Sequence, residues 1–435
     1  MSTTAKVNLW GRMIGAVSLE DKAVTATFEY DRAFIRSGIE VAPLMMPLSS
    51  RLYSFPALHP ETFHGLPGLL ADSLPDRFGN VLIDAWLARS GRLPESFNPV
   101  ERLCYTGSRG MGALEYQPAT RLAAPGASRI EVDRLVALAS EVLTHRNNLQ
   151  GWLQEEGKET ALRDILRVGT SAGGARAKAV IAWNPQTNEV RSGQVKAGSG
   201  FEYWLIKFDG VSGNKDKERA DLKGYGAIEH AYYRMAVDAG IAMSPCRLFE
   251  ENGRRHFMTK RFDRLDGGGK LHMQSLCGLA HYDFNQAGAY GYEQALQVIR
   301  QLGLPMATVE EQFRRMVFNI VARNQDDHVK NIAFLMDRSG NWSLSPAFDM
   351  TYSYQPGGKW TSSHQMTMNG KRSGFTPEDF KACANSASMK RGRAETIIGD
   401  VRNVVVRWRD YADELHVNPE LRDKIHAALR LESFA

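Results

Sequence analysis

A polar stretch of ten residues, "ARNQDDHVKN" at 322–331, lies between two apolar segments and restricts the fold more than any other feature. Before it, "TVEEQFRRMVFNIVA" carries an apolar stripe at helical spacing, which predicts a buried helix face: Val309, Phe313, Met316, Val317, Ile320 and Val321. Thr308 with Glu311 predicts a capping box at the helix start. After it, "IAFLM", "DRSGN" and "WSLSP" have the composition of a strand, a turn and a strand. The polar stretch is therefore predicted to be a loop between a buried helix and a β-hairpin, a frequent location of functional residues.

The predicted hairpin would bring distant polar residues together. Its tip is "DRSGN", so its open end places Asn331 near Pro346 and Ala347, with Asp349 two residues further on. We therefore expect Asp326, Asn331 and Asp349 to converge. One carboxylate can accept a proton, while an amide oxygen and a second carboxylate can bind a hard cation such as Mg²⁺. Phosphoryl transfer needs these groups, and an aspartate followed five residues later by an asparagine is the spacing of the protein-kinase catalytic loop.

Two further features favour phosphoryl transfer over a loop whose aspartates and asparagines only cap turns. In the strand pattern "FEYWLIKFDG", Lys207 lies among apolar neighbours, and a buried ammonium needs an anionic partner. Glu229, on the next predicted helix, is the natural candidate, although Lys207 as a surface lysine is the other interpretation. Upstream, "RVGTSAGGARAKAVIAW" is rich in glycine and small residues, whose backbone N–H groups can cradle phosphates. It matches neither the GxGxxG nor the Walker pattern, so a plain glycine turn is also possible.

The length and the order of the segments predict more than one domain. A chain of 435 residues exceeds one compact core. Residues 6–30 predict a hairpin around a turn at Glu20–Lys22, and the first 150 residues mix strands and helices. The part from about 165 to 265 is strand-rich with one helix, "GAIEHAYYRMAVDAG", and the part after about 280 is mainly helical. Helices are also predicted for "DRFGNVLIDAWLARSG", "IEVDRLVALASEVLTHR" and "TPEDFKACANS", the last with Thr376 as N-cap.

Composition argues against several other classes of protein. A net charge of +5 is far from the basic footprint of a nucleic-acid-binding protein. The four cysteines lie far apart without metal-ligand spacing, which indicates reduced buried thiols. The start "MSTTAKVNLW" is not a signal peptide, and no stretch approaches about 18 uninterrupted apolar residues. The expected compartment is the cytoplasm, without a membrane partner.

Taken together, these stretches resemble the HipA family of serine/threonine kinases, the toxin halves of bacterial toxin–antitoxin pairs. The matching segments, which span nearly the whole chain, are "LWGRMIGAVSL", "GGARAK", "LIKF", "KRFDR", "DDHVKN" and "FDM". The resemblance implies a bilobal, kinase-like α+β fold with ATP and Mg²⁺ as cofactors. The chain would then comprise an N-terminal subdomain (1–115), the remainder of a strand-rich N-terminal lobe (116–275) and a helical C-terminal lobe (276–435).

The resemblance also implies a role for each matching residue. Asp326 would be the catalytic base, with His328 and Lys330 as further catalytic candidates, and Asn331 and Asp349 would bind Mg²⁺. The residues that would contact ATP are Gly173, Gly174, Ala175, Arg176, Ala177, Lys178, Lys207, Glu229, Lys260, Arg261 and Phe262. Ser171 falls at the loop serine that the family autophosphorylates to switch itself off. Compared with the best-known member, "GTSAGGARAK" is richer in glycine and lacks an acidic residue.

The implied partners are a HipB-like helix-turn-helix antitoxin, operator DNA reached through that antitoxin, and a protein substrate, for which the resemblance suggests an aminoacyl-tRNA synthetase. A lipid or small-molecule kinase on the same scaffold is an alternative, because His328 stands where phosphoinositide-type kinases carry a histidine. A metal-dependent hydrolase with "DDH" as ligands would leave Lys207 and the glycine-rich loop unexplained. A DNA-associated corepressor subunit is a further alternative, although the chain shows no helix-turn-helix motif.

Overall fold

The computed structural model describes residues 2–75, 77–119, 130–145, 176–194, 197–211, 224–265 and 268–432. The strands are β1 (Thr3–Leu9), β2 (Arg12–Leu19), β3 (Thr27–Tyr30), β4 (Leu114–Gln117), β5 (Lys178–Trp183), β6 (Val190–Ser192), β7 (Glu202–Lys207), β8 (Cys246–Glu251), β9 (Arg254–Lys260), β10 (His272–Ser275), β11 (Ala333–Met336) and β12 (Trp342–Leu344). The helices are α1 (Arg32–Ile35), α2 (Pro60–Phe63), α3 (Gly68–Ala71), α4 (Arg77–Arg89), α5 (Pro99–Thr106), α6 (Val132–Thr144), α7 (Tyr225–Asp238), α8 (Leu276–Ala280), α9 (Tyr292–Gln301), α10 (Met306–Val321), α11 (Pro377–Ser386), α12 (Arg393–Val405), α13 (Trp408–Glu414) and α14 (Pro419–Ala428). The predicted α+β fold class is confirmed.

The N-terminal part contains a four-stranded antiparallel sheet in the order β3-β2-β1-β4. The hairpin that the sequence predicts here, with its turn at Glu20–Lys22, forms between β2 and β3. The sequence did not predict a second hairpin in the same sheet. β1 and β2 also pair through a tighter turn, in which Leu9 lies opposite Arg12. Its central residues, Trp10 and Gly11, have φ of 52° and 81°, the left-handed values that the favoured two-residue hairpin turns require.

A five-stranded antiparallel sheet in the order β6-β5-β7-β9-β8 forms the strand-rich lobe. β7, which ends at Lys207, lies at its centre between β5 and β9. Helix α7 carries Glu229 and packs on β8 and β9. For the described residues, the predicted strand-rich character of 165–265 and its helix are confirmed.

The hairpin after the polar stretch forms as predicted. β11 and β12 pair with Phe334 opposite Leu344, and β10 completes a three-stranded antiparallel sheet. At the tip, the Asp337 carboxylate accepts a bond from Asn341 N at 3.0 Å, which closes the turn. β10 thus shares a sheet with strands of the helical lobe, and β4 spans the predicted boundary at residues 115 and 116. The domain boundaries themselves stay predictions.

The predicted helices at 76–91, 130–146, 226–240 and 376–386 are confirmed as α4, α6, α7 and α11. Thr376 is the N-cap of α11, and its backbone nitrogen donates a bond to the Asp379 carboxylate at 2.8 Å. Among the described helices, none combines the length and apolar character that a membrane span requires.

The capping box predicted for the helix before the polar stretch is wrong. Helix α10 already begins at Met306, so Thr308 lies inside its first turn. The Glu311 carboxylate instead accepts bonds from Ala242 N at 3.0 Å and from Arg315 Nε at 2.8 Å. Glu311 therefore ties α10 to the segment after α7, a tertiary contact that replaces the local one.

The apolar stripe of α10 forms the centre of the helical lobe. All six of its predicted core residues are fully buried: Val309, Phe313, Met316, Val317, Ile320 and Val321. They pack in one continuous core that also includes the N-terminal sheet. Helices α9 and α12 contact α10, so the loop that leaves its C-terminal end starts from a rigid base.

Asp72 links the N-terminal part to the helical lobe. Its partly buried carboxylate accepts bonds from Ser275 N at 2.6 Å and Ser275 Oγ at 2.7 Å. Burial raises the pKa of Asp72, and these bonds only partly oppose that effect. Ser275 is the N-cap of α8, and α8 contacts the 3-10 turn Val329–Asn331. The N-terminal part thus supports the polar loop through α8.

Candidate active site

The polar stretch forms the predicted loop, which is tied to the segment after the hairpin. Backbone bonds join Gln325 N to Ser353 O at 3.0 Å and Ser353 N to Arg323 O at 3.0 Å. The Asn324 side chain donates to the backbone oxygen of Asp349 at 3.2 Å. Asp349 has a φ of 54°, a left-handed value that aspartate adopts more readily than most residues. Asp349 is therefore held beside the loop, as the hairpin geometry predicts.

Asp326 lies at the solvent-accessible side of the loop, with 43% of its side chain exposed. Its Oδ1 accepts a bond from Trp360 Nε1 at 2.6 Å. Its backbone oxygen accepts a bond from Asn331 Nδ2 at 2.8 Å. Because the amide nitrogen makes this bond, the amide oxygen of Asn331 points the other way, where it can serve as a ligand.

Asp327, the next residue, is buried and faces the protein interior. Its carboxylate accepts bonds from Tyr292 Oη at 2.6 Å and from Gln365 N at 2.7 Å, and it lies 2.7 Å from His364 Nδ1. Burial alone would raise the pKa of Asp327, but His364 and these donors hold it below its usual value. Two consecutive aspartates thus have separate roles: one faces solvent and the other anchors the loop.

Lys207 makes the central ion pairs of the site. Its ammonium is 2.5 Å from Glu229 Oε1 and also bonds Asp349 Oδ1. Glu229 is 2% exposed and Lys207 8% exposed, so this pair is largely shielded from water. Burial lowers the pKa of Lys207, but the two carboxylates outweigh it and the net shift is upward. Burial likewise opposes ionisation of Asp349, yet Lys207 and Lys178 lower its pKa to about 2.

Two further cations surround this cluster. Lys178 lies directly opposite Lys207 across β5 and β7, and like charges at such positions destabilise a sheet unless they are compensated. Arg176 Nη1 is 3.6 Å from Glu229 Oε2. Lys178 and Arg176 are 3% and 6% exposed. Three buried cations, Lys207, Lys178 and Arg176, therefore lie close to the carboxylates of Glu229 and Asp349.

The segment predicted to lie beside adenine, Lys260–Phe262, continues from β9. The Phe262 ring is 5.7 Å from that of Phe348, the neighbour of Asp349 in sequence. A cavity of about 450 Å³ opens beside the segment, with Tyr203 and Lys260 in its lining. This volume lies in the range of small-molecule sites.

Arg261 does not point its charge at a ligand but pairs with Asp263 at 2.6 Å, as does Arg264. Asp263 also accepts a bond from Gly112 N at 2.7 Å. Burial would raise the pKa of Asp263, but the two arginines lower it to about 2. The "RFDR" segment therefore fastens the end of β9 to the loop of Gly110 and Gly112 before β4. The guanidinium of Arg261 is engaged in these contacts, so only its backbone remains to contact a nucleotide base.

His328 and Lys330, the other catalytic candidates, both lie against the ring of Phe284. His328 Nε2 is 3.9 Å from Asp326 Oδ1, so the two residues lie side by side. The Lys330 ammonium lies 4.6 Å from the centroid of the Phe284 ring. After burial, the charge of Lys330 is the next cause that lowers the pKa of His64 in the N-terminal part. The structure thus places His328 beside both Asp326 and Phe284, and Lys330 over the Phe284 ring. The catalytic roles of His328 and Lys330 stay predictions.

Part of the predicted phosphate loop, with Ser171, Gly173, Gly174 and Ala175, lies outside the described residues. Ala177, at its C-terminal end, is fully buried and accepts a backbone bond from Phe208 N at 3.0 Å. This bond holds the start of β5 against the end of β7.

The donor set fits Mg²⁺ and a nucleotide. Asp349 offers an ionised carboxylate and Asn331 an amide oxygen, both hard ligands that Mg²⁺ prefers. Within the described ranges, no group of three or more His, Cys, Asp or Glu side chains is arranged to hold a metal. A Mg²⁺ ion would therefore need phosphate and water oxygens as well, the usual situation at nucleotide sites.

The sequence did not identify several residues that shape the site. Asp327 lies inside the quoted motif, and its position next to Asp326 was a signal that went unassigned. Asn324 lies there too, but nothing local indicates that it reaches Asp349. Trp360 and His364 belong to no recognisable pattern, because their contacts with the loop arise only from packing.

Comparison with known proteins places this geometry in context. A chain from the Shewanella oneidensis MR-1 toxin–antitoxin complex of HipA, HipB and operator DNA has a similar fold, with a TM-score of 0.66 and 15% identity. The match covers 98% of this chain and 94% of that chain. The protein named "Putative kinase Y4mE" from Sinorhizobium fredii (strain NBRC 101917 / NGR234) is 25% identical over 126 residues. That alignment spans 27% of this chain and only 30% of the relative's own length.

Two family models match consecutive parts of the sequence. The HipA N-terminal domain matches residues 5–117, and the HipA-like C-terminal domain matches residues 170–408, more than half of the chain. The turn between β1 and β2, Lys207, the Asp326 loop and Asp349 all lie within these matches. The chain belongs to the HipA family.

Proposed function

We propose that the protein is an ATP- and Mg²⁺-dependent kinase that phosphorylates serine or threonine hydroxyls of a protein. The observation that carries the proposal is Lys207, whose ammonium binds both Glu229 and Asp349 beside the loop of Asp326. Kinases need a strand lysine paired with a helix glutamate, a metal-binding aspartate and a base for phosphoryl transfer. Family membership and a relative named as a kinase support the same chemistry.

Asp326 would act as the base. As the substrate hydroxyl oxygen attacks the γ-phosphorus, its proton passes to a carboxylate oxygen of Asp326. The new O–P bond forms while the bond from the γ-phosphorus to the bridging oxygen of ADP breaks, so ADP leaves. The exposed fraction of the Asp326 side chain, 43%, lets an external hydroxyl approach it.

The cationic cluster would hold the phosphates. Lys207, Lys178 and Arg176 provide positive charge in a region shielded from water, where it acts more strongly than in solvent. Glu229 fixes the Lys207 ammonium. Asp349 and Asn331 would hold Mg²⁺, which neutralises phosphate charge when bound.

The biological role we propose is that of a growth-inhibiting cytoplasmic toxin that phosphorylates a translation component such as an aminoacyl-tRNA synthetase. A HipB-like helix-turn-helix antitoxin would bind it and connect it to operator DNA. The fold likeness to a chain from a HipA, HipB and operator DNA complex supports this role. Phosphoproteomes of cells that express the wild type or Asp326→Asn would identify the substrate as a protein phosphorylated only with the wild type.

A lipid or small-molecule kinase is the second candidate, favoured by His328. This histidine lies two residues after Asp326 with its Nε2 3.9 Å from that carboxylate. Labelled phosphate from ATP that appears in lipid or small molecules, and in no protein, would favour the second candidate over the first.

The role of Asp349 provides the direct test. We expect the wild type to bind ATP more tightly with Mg²⁺ than with EDTA, because the Asp349 carboxylate, with a pKa of about 2, is ionised at neutral pH. Asp349→Ala should abolish both this difference and phosphotransfer, as measured by calorimetry and by transfer of labelled phosphate. Asp410→Ala, which removes an exposed carboxylate on α13, is the control. Unchanged phosphotransfer in Asp349→Ala would contradict the assignment.

Self-inactivation at Ser171 is part of the proposal. Ser171 stands shortly before Arg176 and Lys178 in the sequence, so we expect that a phosphate there, with a charge of about −1.5 to −2, would repel ATP. Lys178 and Arg176 could pair with the phosphoserine instead of the nucleotide. Incubation with Mg²⁺ and ATP should cause a slow loss of activity, with mass spectrometry locating the phosphate on Ser171. Ser171→Asp should bind ATP poorly; if Ser171→Ala loses activity at the wild-type rate, the switch lies elsewhere.

A further inference from the structure

We propose that Trp360 is a positioning residue for Asp326. Its indole N–H fixes Oδ1 of the carboxylate, so that the other oxygen, Oδ2, is presented to the substrate hydroxyl. The proposal rests on the proposed function, because it takes Asp326 as the base. Trp360 lies between the hairpin and α11, 34 residues after Asp326 in the sequence.

The bond between the two side chains is short and involves a charged acceptor. Trp360 Nε1 lies 2.6 Å from Asp326 Oδ1. Hydrogen bonds to an ionised carboxylate are roughly twice as strong as those between neutral groups. His328 Nε2, at 3.9 Å from the same oxygen, is too far away for a hydrogen bond. Among the described residues, Trp360 is therefore the side chain that restrains the half-exposed carboxylate.

Trp360 is itself held by the buried neighbour of Asp326. The backbone oxygen of Trp360 accepts a bond from Gln365 Nε2 at 2.5 Å. The backbone nitrogen of Gln365 donates to Asp327 Oδ1 at 2.7 Å. Asp326 and Asp327 thus bind the same segment, residues 360–365. Asp326 accepts a bond from the indole of Trp360, and Asp327 accepts one from the backbone nitrogen of Gln365.

His364 completes this anchor, and its bonds identify its tautomer. Arg430 Nη1 lies 2.9 Å from His364 Nε2, and a guanidinium can only donate. Nε2 is therefore the acceptor, so Nδ1 carries the proton and donates to Asp327 Oδ2 at 2.7 Å. Both carboxylate oxygens of Asp327 and both ring nitrogens of His364 therefore take part in hydrogen bonds. Buried polar groups that all have partners make a structure rigid. Trp360 consequently projects from a fixed base rather than from a loose loop.

A kinetic experiment tests the positioning role. Trp360→Phe removes the N–H donor but keeps an aromatic ring. We expect kcat for phosphotransfer to fall by about 10- to 100-fold, the effect of a misplaced catalytic group, while KM for ATP stays unchanged. Trp342→Phe is the matched control. It also removes an indole hydrogen bond, the one from Trp342 Nε1 to Glu40 O at 3.1 Å, but this bond lies outside the site. Its kcat should equal that of the wild type.

A second measurement does not depend on activity. In protein labelled with ¹⁵N-tryptophan, the indole signal that is missing from the Trp360→Phe spectrum belongs to Trp360. We expect this signal to move upfield in Asp326→Asn, where a neutral amide replaces the charged acceptor, while the Trp342 signal stays in place. The measurement uses the full chain and needs no substrate.

The outcomes separate the two proposals. If the wild type transfers no phosphate, the proposed function fails, although the indole signal still reports the bond. If the wild type is active but Trp360→Phe has the kcat of the Trp342→Phe control, the positioning role is wrong. A higher kcat in Trp360→Phe would also overturn it, because the indole would then block the base. An unmoved indole signal in Asp326→Asn would show that the bond does not form.

Discussion

Replacing Asp326 with asparagine is expected to lower the rate of phosphotransfer by about 10²- to 10⁴-fold, the usual contribution of a general base. Asparagine keeps the size of the side chain but cannot accept the proton of the substrate hydroxyl. Its amide oxygen can still accept the indole bond from Trp360, so the loop should keep its structure. Transfer of labelled phosphate measures the rate, and calorimetry should show that the affinity for Mg²⁺-ATP is retained.

The control for this experiment is Asp410→Asn, which removes an exposed carboxylate on α13 away from the loop. It should have wild-type activity. In cells, expression of the wild type should slow growth while Asp326→Asn is harmless at the same protein level. Equal growth inhibition by both proteins would mean that the arrest does not depend on kinase chemistry.

Replacing Lys207 with methionine should affect both activity and stability. The substitution keeps the apolar stem but removes the ammonium that binds Glu229 and Asp349. Loss of one preorganised charge for the transferred phosphate should lower kcat by about 10²- to 10³-fold. Removal of one partner from a buried ion pair should lower the free energy of unfolding by about 3–5 kcal/mol, measured by urea denaturation.

A second substitution separates these two effects. In Lys207→Met with Glu229→Gln, the buried carboxylate that lost its partner becomes a neutral amide. Part of the lost free energy of unfolding should return because the two sites are coupled, but the activity should not return. Lys381→Met is the control: its pair with Glu395 at 3.9 Å is half-exposed, so its loss should cost about 1 kcal/mol or less. A double variant less stable than Lys207→Met would contradict the ion-pair explanation.

The elements around the site could be predicted because their signals are local. The period of α10, the turn "DRSGN" and the strands on either side of it are each encoded within a few residues. Together they brought Asp326, Asn331 and Asp349 to one end of a hairpin. The capping box at Thr308 and Glu311 failed for the opposite reason. Its residues have the right local spacing, but Glu311 bonds Ala242 N and Arg315 instead.

By itself, the sequence determined the α+β class, the helix and hairpin that flank the polar loop, and the spacing of Asp326 and Asn331. Only the tertiary structure decided which side chains meet. Trp360 reaches Asp326 across 34 residues, Arg430 reaches His364 across 66, and Lys207 reaches Asp349 across 142. Periodicity and turn chemistry act over a few residues, whereas these contacts depend on how whole elements pack. For that reason the sequence indicated the reactive groups, and the packing alone decided what holds them in place.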